Sequence, residues 1–142
     1  MRTTILKALM AVASLVRADA AVAGADQDAV RDVLMATFDK PEARLVVDPV
    51  VVSGGHAIAD WTQGATGGRA LLRHGANGWR LVLCAGDGIK DSAALRLAGV
   101  SSSDAAELVA ALAASEQQLT RDRLALLSSF EGVVRMDGEL RQ

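Results

Sequence analysis

Residues 56–85 have the sequence HAIADWTQGATGGRALLRHGANGWRLVLCA, in which three largely apolar segments alternate with two glycine-rich ones. The apolar segments are His56–Gln63, Arg69–His74 and Trp79–Ala85, and the glycine-rich segments are 64–68 and 75–78. Short apolar runs bounded by glycine turns are typical of β-strands, and connections this short favour antiparallel neighbours. This stretch is therefore predicted to form three consecutive strands of a meander.

A further strand is predicted before this stretch. Leu45–Val52 is rich in valine and is interrupted only by Asp48-Pro49. Because proline has no backbone N–H to donate, it indicates an edge strand or a bulge. Gly54-Gly55 is a tight-turn signal that joins this strand to the next. The result is a four-stranded antiparallel meander within residues 43–85.

Helical patterns flank the predicted sheet. Apolar residues recur at helical spacing from about Asp26 to Asp39, with Asp26 or Asp28 as a cap and Lys40-Pro41 as a stop. Residues 87–142 are mostly helical in pattern. Their candidate caps are Asp87 or Asp91, Asp104 and Thr120, and residues 133–136 form a short strand or a docked tail. An N-terminal helix, the meander and two to three C-terminal helices predict an α+β fold, in a cystatin-like or NTF2-like order of elements.

The first residues have the features of a secretory signal peptide. Arg2 and Lys7 give a positive start, an apolar segment follows, and Ala21-Val22-Ala23 matches a cleavage site. The apolar segment is shorter than the roughly 20 residues that a membrane span needs. An N-terminal amphipathic helix is the alternative. We expect a signal peptide over residues 1–23, a single α+β domain over residues 24–142, and export to the periplasm with no stable membrane insertion.

Charge and composition exclude some functions. Without residues 1–23, twelve basic residues face sixteen acidic ones, and this balance argues against a nucleic-acid partner. Only two tryptophans and two phenylalanines occur, so the core must be built mainly from aliphatic side chains. The one cysteine, Cys84, has no partner for an internal disulfide and is expected to be buried as a small apolar residue.

A trial register predicts which side chains share a sheet face. If Gln63 lies opposite Arg69 across a five-residue turn, His56 and His74 become diagonal neighbours about 7–8 Å apart, close enough to share a metal ion. Ile58, Asp60 and Leu72 would share their face. Cys84 would lie on the opposite face with Trp61, Leu71 and Val82, unless the last hairpin slips by one residue. Both faces are apolar, so the N-terminal helix covers one and the C-terminal helices the other, or one face stays open.

Several segments resemble a family of small exported bacterial proteins. These are residues 41–52, 57–64, 67–73, 79–87 and 130–136, of which Trp61-Thr62-Gln63-Gly64 and Leu83-Cys84-Ala85-Gly86-Asp87 are the most distinctive. The family is the copper uptake system-associated proteins, and the resemblance covers most of residues 24–142. It implies an association with copper acquisition and a copper chaperone or transporter of the cell envelope as partner. It does not imply an established activity.

The chain offers few copper ligands. The candidates are His56, His74, Cys84 and Met136, with Met35 as a further sulfur. Cu(I) prefers thiolate and thioether, whereas Cu(II) accepts imidazole. No two candidates have a metal-motif spacing such as C-x-x-C or H-x-H. Direct copper binding by these residues and an indirect role in docking a copper protein therefore both stay open.

Candidate partner-binding residues are Trp61, Arg69 and Arg73. Arg69, Arg73 and Arg80 could form a basic strip across adjacent strands that matches an acidic partner, or could pair with acidic residues of the sheet. An Asp60–His74 general base is conceivable in the trial register, but no sequence motif supports catalysis. We expect a protein that is not an enzyme. The alternatives to a copper role are a small-ligand-binding module and a protein-interaction or inhibitor domain without metal.

Overall fold

The computed structural model describes residues 15–137. In chain order the elements are α1 (Leu15–Phe38), β1 (Leu45–Ser53), β2 (His56–Gln63), β3 (Thr66–Gly75), β4 (Gly78–Ala85), a 3-10 turn (Asp87–Lys90), α2 (Ser92–Leu97), α3 (Ser102–Glu116), α4 (Arg121–Ser128) and β5 (Val133–Arg135). The five strands form one antiparallel sheet in the order β1-β2-β3-β4-β5. The predicted α+β class and meander are confirmed, and the tail segment adds a fifth strand.

The first strand is both an edge strand and an irregular one. Val47 lies opposite Trp61 and Val50 opposite Ala59, so Asp48 and Pro49 on β1 face the single residue Asp60 on β2, and β1 has one extra residue here. Proline has no backbone N–H, and at this bulge it does not need to donate a hydrogen bond to the neighbouring strand. Both features that the proline predicted, an edge position and a bulge, are present.

The trial register of β2 and β3 is wrong. A two-residue turn at Gly64-Ala65 brings Gln63 opposite Thr66 and Asp60 opposite Arg69. Gly64 has φ +58°, a left-handed conformation that glycine adopts without steric cost. Residues 66–68 therefore extend the strand and are not part of the turn. The change in register moves every β3 side chain to the other face relative to β2.

A bulge also shifts the hairpin of β3 and β4. Leu71 lies opposite Leu83 but Leu72 lies opposite Leu81, so Val82 is the extra residue. Cys84 consequently faces the same side as Ala70, which is its partner on β3. Cys84 shares this face with Trp61, as predicted, but the prediction that Leu71 and Val82 join them is wrong.

Helices cover both faces of the sheet. On one face, named the α1 face, Val30 and Leu34 pack on a cluster that also contains Val47, Val50, Ala57, Ala59, Ala70, Leu72, Trp79 and Cys84. On the other, named the α3 face, Leu95, Ala105, Leu108 and Leu112 pack on Val51, Ile58, Leu71, Val82 and Leu83. A sheet that is apolar on both sides must be covered on both sides to remove that surface from water. The predicted division between N-terminal and C-terminal helices is confirmed.

The helix ends follow local capping chemistry. Asp91 caps α2 by accepting from the Ala93 N–H, and Thr120 caps α4 by accepting from the Arg123 N–H. The predicted cap of α3 is wrong, because Ser101 and not Asp104 caps it. The predicted start of α1 is also wrong. The helix begins at Leu15, so Asp26 and Asp28 lie inside it, as the alanine-rich sequence before them favours helix.

The predicted signal peptide covers residues 1–23. Its first 14 residues lie outside the described part of the chain. Residues 15–23 form the first part of α1. Among the described helices, none has a stretch long and apolar enough to cross a membrane.

Candidate functional site

A pocket of about 270 Å³ lies on the α1 face where the end of α1, the ends of β1 and β2, and β5 meet. We name it the Cys84 pocket. It is lined by Phe38, Leu45, Trp61, Gln63, Cys84, Phe130, Val134 and Met136. Its walls are almost entirely apolar, so the thiol and the thioether are the groups with specific chemistry to offer.

Gln63 closes the pocket at the α1 end. Its side-chain amide donates to the Phe38 carbonyl at 2.7 Å and to the Ala43 carbonyl at 2.8 Å. Both N–H donors of the amide are therefore used to hold the end of α1 and the following loop against β2. This fixes the Phe38 ring in the pocket wall and leaves Gln63 a positioning role.

An aromatic pair forms a second wall. The rings of Trp61 and Phe130 meet edge to face, with centroids 6.0 Å apart and planes at 82°. Gly68 makes this possible, because a Cβ at that position would lie 3.0 Å from both rings. Phe130 follows α4, so the chain that comes from the α3 face delivers an aromatic ring to the α1 face.

Cys84 contributes a thiol to the pocket. Its side chain is buried, and burial raises the pKa of the thiol to about 11, an effect that Trp61 partly opposes. The thiol is therefore protonated at neutral pH. The indole Nε1–H of Trp61 is itself buried and makes no hydrogen bond of good geometry. The pocket thus presents one protonated thiol, while the buried indole N–H interacts with that thiol and is not exposed in the pocket.

The strand β5 brings Met136 into the same pocket as this thiol. Val134 lies opposite Cys84 on β4, and the backbone N–H of Met136 donates to the Val82 carbonyl at 2.8 Å. Met136 is half-buried and lines the same pocket as Cys84. Two of the four predicted copper ligands are therefore brought together, although they lie 52 residues apart in the sequence.

The two histidines are not part of this pocket, and the prediction that they share a face is wrong. His56 lies opposite Arg73 on the α3 face, whereas His74 lies on the α1 face with its ring 5.2 Å from that of Trp79. Burial lowers the pKa of His56. The Asp104 carboxylate opposes this effect, and the Arg73 guanidinium adds to it. Cys84 shares a face with His74, but it lies five positions along β4 from Trp79, the residue opposite His74, which is about 16 Å along a strand. Within residues 15–137 no three His, Cys, Asp or Glu side chains converge as a metal site.

The predicted partner-binding residues separate in the same way. Trp61 is half-buried in the wall of the Cys84 pocket, and Arg73 is exposed. Arg69 is fully buried on the α3 face, so it cannot contact a partner and that prediction is wrong. The change in register explains this, because it places Arg69 opposite Asp60 under the C-terminal helices.

Arg69 is the centre of a buried ion cluster. Its Nε donates to Glu116 Oε1 at 2.6 Å and lies 3.6 Å from Asp60 Oδ1, and its Nη1 donates to Asp87 at 3.1 Å. The arginine therefore links β3 to α3 and to the 3-10 turn. Arg69 is a salt-bridge partner of Asp60, although neither buried oxygen of that carboxyl group accepts a hydrogen bond. An Asp60–His74 general base is excluded because the two residues lie on opposite faces.

Sequence patterns did not single out Phe38, Leu45, Gln63 and Phe130 as site residues. Each had been assigned to a helix stripe or a strand. The available signal was the clustering of the few aromatic residues in the segments that carry the family resemblance, which supply Trp61 and Phe130. No protein-family model, no curated protein and no solved structure matches the chain.

Proposed function

We propose that this is a non-catalytic accessory protein of copper acquisition in the periplasm, which holds Cu(I) in the Cys84 pocket or docks to a copper chaperone or transporter. The observation that supports direct binding is that Cys84 and Met136 line one apolar pocket. Thiolate and thioether are the soft ligands that Cu(I) prefers. His56 and His74, which would suit Cu(II), lie elsewhere.

The absence of charge in the pocket wall favours Cu(I) over a divalent ion. When Cys84 binds Cu(I), the thiol loses its proton to solvent and the Cu(I)–thiolate unit has no net charge. A neutral unit can lie in an apolar pocket, whereas a divalent ion with one thiolate would leave an unpaired positive charge there.

The test is a Cu(I) titration under anaerobic conditions in competition with a chromophoric chelator. We expect one Cu(I) per chain, loss of binding in Cys84→Ser and weaker binding in Met136→Leu. His56→Ala and His74→Ala are matched controls and should bind as the unaltered protein does. Zn(II) should not compete. Equal affinity in the Cys84→Ser variant would remove direct binding, and a requirement for His56 would move the site.

The apolar wall also favours a second candidate, a module that binds a small apolar ligand. The volume of about 270 Å³ is near the lower end of ligand pockets. Val134→Trp separates the two candidates, because Val134 is half exposed and the larger ring fills the pocket without removing a sulfur. Binding of a naphthol probe should be lost in this variant if the pocket takes apolar ligands. Cu(I) binding should persist if the sulfurs hold the metal.

A further inference from the structure

A second groove of about 270 Å³ lies on the α3 face, between α2 and the strands β3, β4 and β5. Its floor includes Leu71, Leu83 and Ile89. At its rim Leu97 is 89% exposed and Val133 is 60% exposed. Large apolar side chains with this exposure on both sides of one groove form a continuous apolar surface that the described residues leave uncovered.

Arginines border one end of this groove. Arg135 lines it directly. Arg73 is two residues beyond Leu71 on the same face, about 7 Å along β3, and Arg80 lies directly opposite Arg73 on β4. Asp137 pairs with Arg135 at 3.0 Å. Asp137 also interacts electrostatically with Arg73, and Asp104 lies near His56, the residue opposite Arg73, so the three guanidinium groups are only partly neutralised at this end of the groove.

The Arg73–Arg80 pair is unfavourable within the isolated fold. Like charges placed directly opposite on neighbouring strands destabilise a sheet. Both side chains are exposed, and neither has a salt bridge among the described residues. A carboxylate from outside would relieve this repulsion, so the charge pattern itself indicates an anionic partner.

We propose that this groove and its arginines bind an acidic segment of a partner protein, with an apolar side chain of the segment in the groove and its carboxylates on Arg73, Arg80 and Arg135. The observations favour a peptide because the groove is open and too small to enclose a lipid chain, yet it can seat one or two side chains. This surface lies on the opposite face from the Cys84 pocket, so the proposal is independent of copper binding.

The test selects peptides from a random phage-displayed library against the folded protein. Selected sequences should be enriched in Asp or Glu flanking a large apolar residue. A synthetic peptide of the selected sequence should bind several-fold more weakly to Arg73→Gln/Arg80→Gln and to Leu97→Asn, and binding should weaken as salt is raised. Arg121→Gln, an exposed arginine on α4 outside the groove, is the matched control. Cu(I) affinity measured in the same variants should not change.

Three outcomes would overturn the proposal. In the first, the selected peptides lack acidic residues. In the second, they bind the double arginine variant as well as the unaltered protein. In the third, the selection enriches no peptide. Vesicles of phosphatidylglycerol and phosphatidylcholine are tested in parallel. Binding to the anionic vesicles alone, lost in the double arginine variant, would assign the surface to a membrane and not to a peptide.

Discussion

Asp60 and Arg69 lie directly opposite each other on β2 and β3, and both side chains are at most 1% exposed. The guanidinium Nε is 3.6 Å from Asp60 Oδ1 and donates to Glu116 at 2.6 Å. Two carboxylates from a strand and a helix therefore converge on one buried arginine. Removing one member of such a cluster leaves the others without compensation.

Arg69→Met is expected to lower the free energy of unfolding by about 3–5 kcal/mol, because it removes the cation that is hydrogen-bonded to the buried Glu116 carboxylate and leaves that carboxylate only Lys90, at 3.7 Å. Urea denaturation followed by circular dichroism measures the change. Arg121→Met, at an exposed arginine of α4, is the control and should change stability by no more than about 0.5 kcal/mol. A small effect at Arg69 would mean that the buried carboxylates find other partners.

The buried carboxyl of Asp60 should make stability depend on pH. Burial and the neighbouring Glu116 raise the pKa of Asp60 to about 8 from 3.8, with Arg69 and Arg123 opposing them. Between these two values the folded protein holds a proton that the unfolded chain has released. Its contribution to stability is therefore full near pH 4 and is lost as the pH rises to about 8. The pKa of Glu116 is lowered, so its own contribution is lost only in acid, as the pH falls through the folded pKa.

Urea midpoints measured from pH 5 to pH 9 test this dependence. The unaltered protein should lose stability relative to Asp60→Asn over this range, because the asparagine cannot ionise. A constant difference between the two proteins across the range would contradict the raised pKa.

Gly68→Ala should disturb the aromatic wall of the Cys84 pocket. The added Cβ would lie 3.0 Å from the rings of Trp61 and Phe130, which must then move. We expect a loss of about 1–3 kcal/mol, typical of overpacking, and a shift in tryptophan fluorescence. Gly55→Ala is the control, since no atom lies within 4 Å of its Cβ position. An unchanged spectrum in Gly68→Ala would mean that the ring pair does not depend on this glycine.

Cu(I) binding to Cys84 should release a proton at neutral pH. Since burial raises the pKa of the thiol to about 11, the apparent affinity should increase about tenfold per pH unit up to that value. Calorimetry in buffers with different heats of ionisation counts the protons. Affinity that does not change between pH 6 and pH 8 would show that the thiolate is not the ligand.

Arg73→Gln is expected to stabilise the fold slightly, by about 0.2–1 kcal/mol, because it removes the like-charge pair with Arg80. Thermal denaturation measures the gain, which should shrink as salt screens the repulsion. Gain of stability with loss of peptide binding is the pattern of a residue retained for function. A loss of stability would show that Arg73 has a structural partner.

The turn between β2 and β3 shows that local sequence predicts the presence of a turn but not the register of the strands that it joins. Five consecutive residues, 64–68, have turn-like composition, and only the first two form the turn. Composition identifies that a turn exists, but the exact pairing depends on how both faces pack. Arg69 was assigned to the surface for this reason, although the strand itself was predicted within three residues of its observed ends.

The candidate site was less predictable than the fold. Cys84 and Met136 were chosen for their sulfur chemistry, and their convergence depends on the bulge at Val82 and on the short pairing of β5 with β4. The groove on the α3 face depends on the position of α2, which no sequence pattern fixes. Pockets form between elements, so the spacing within one element carries little information on them.

The sequence by itself determined the strands, the order of helix and sheet, the proline-marked irregular edge and the caps of α2 and α4, because these depend on neighbours a few residues apart. The tertiary structure alone decided which face each side chain takes, the burial of Arg69, the separation of the histidines and the joining of two sulfurs in one pocket. The physical reason is that a shift of one residue in strand pairing exchanges the two faces of a sheet. Only the packing of α1 and α3 against those faces selects one register over another.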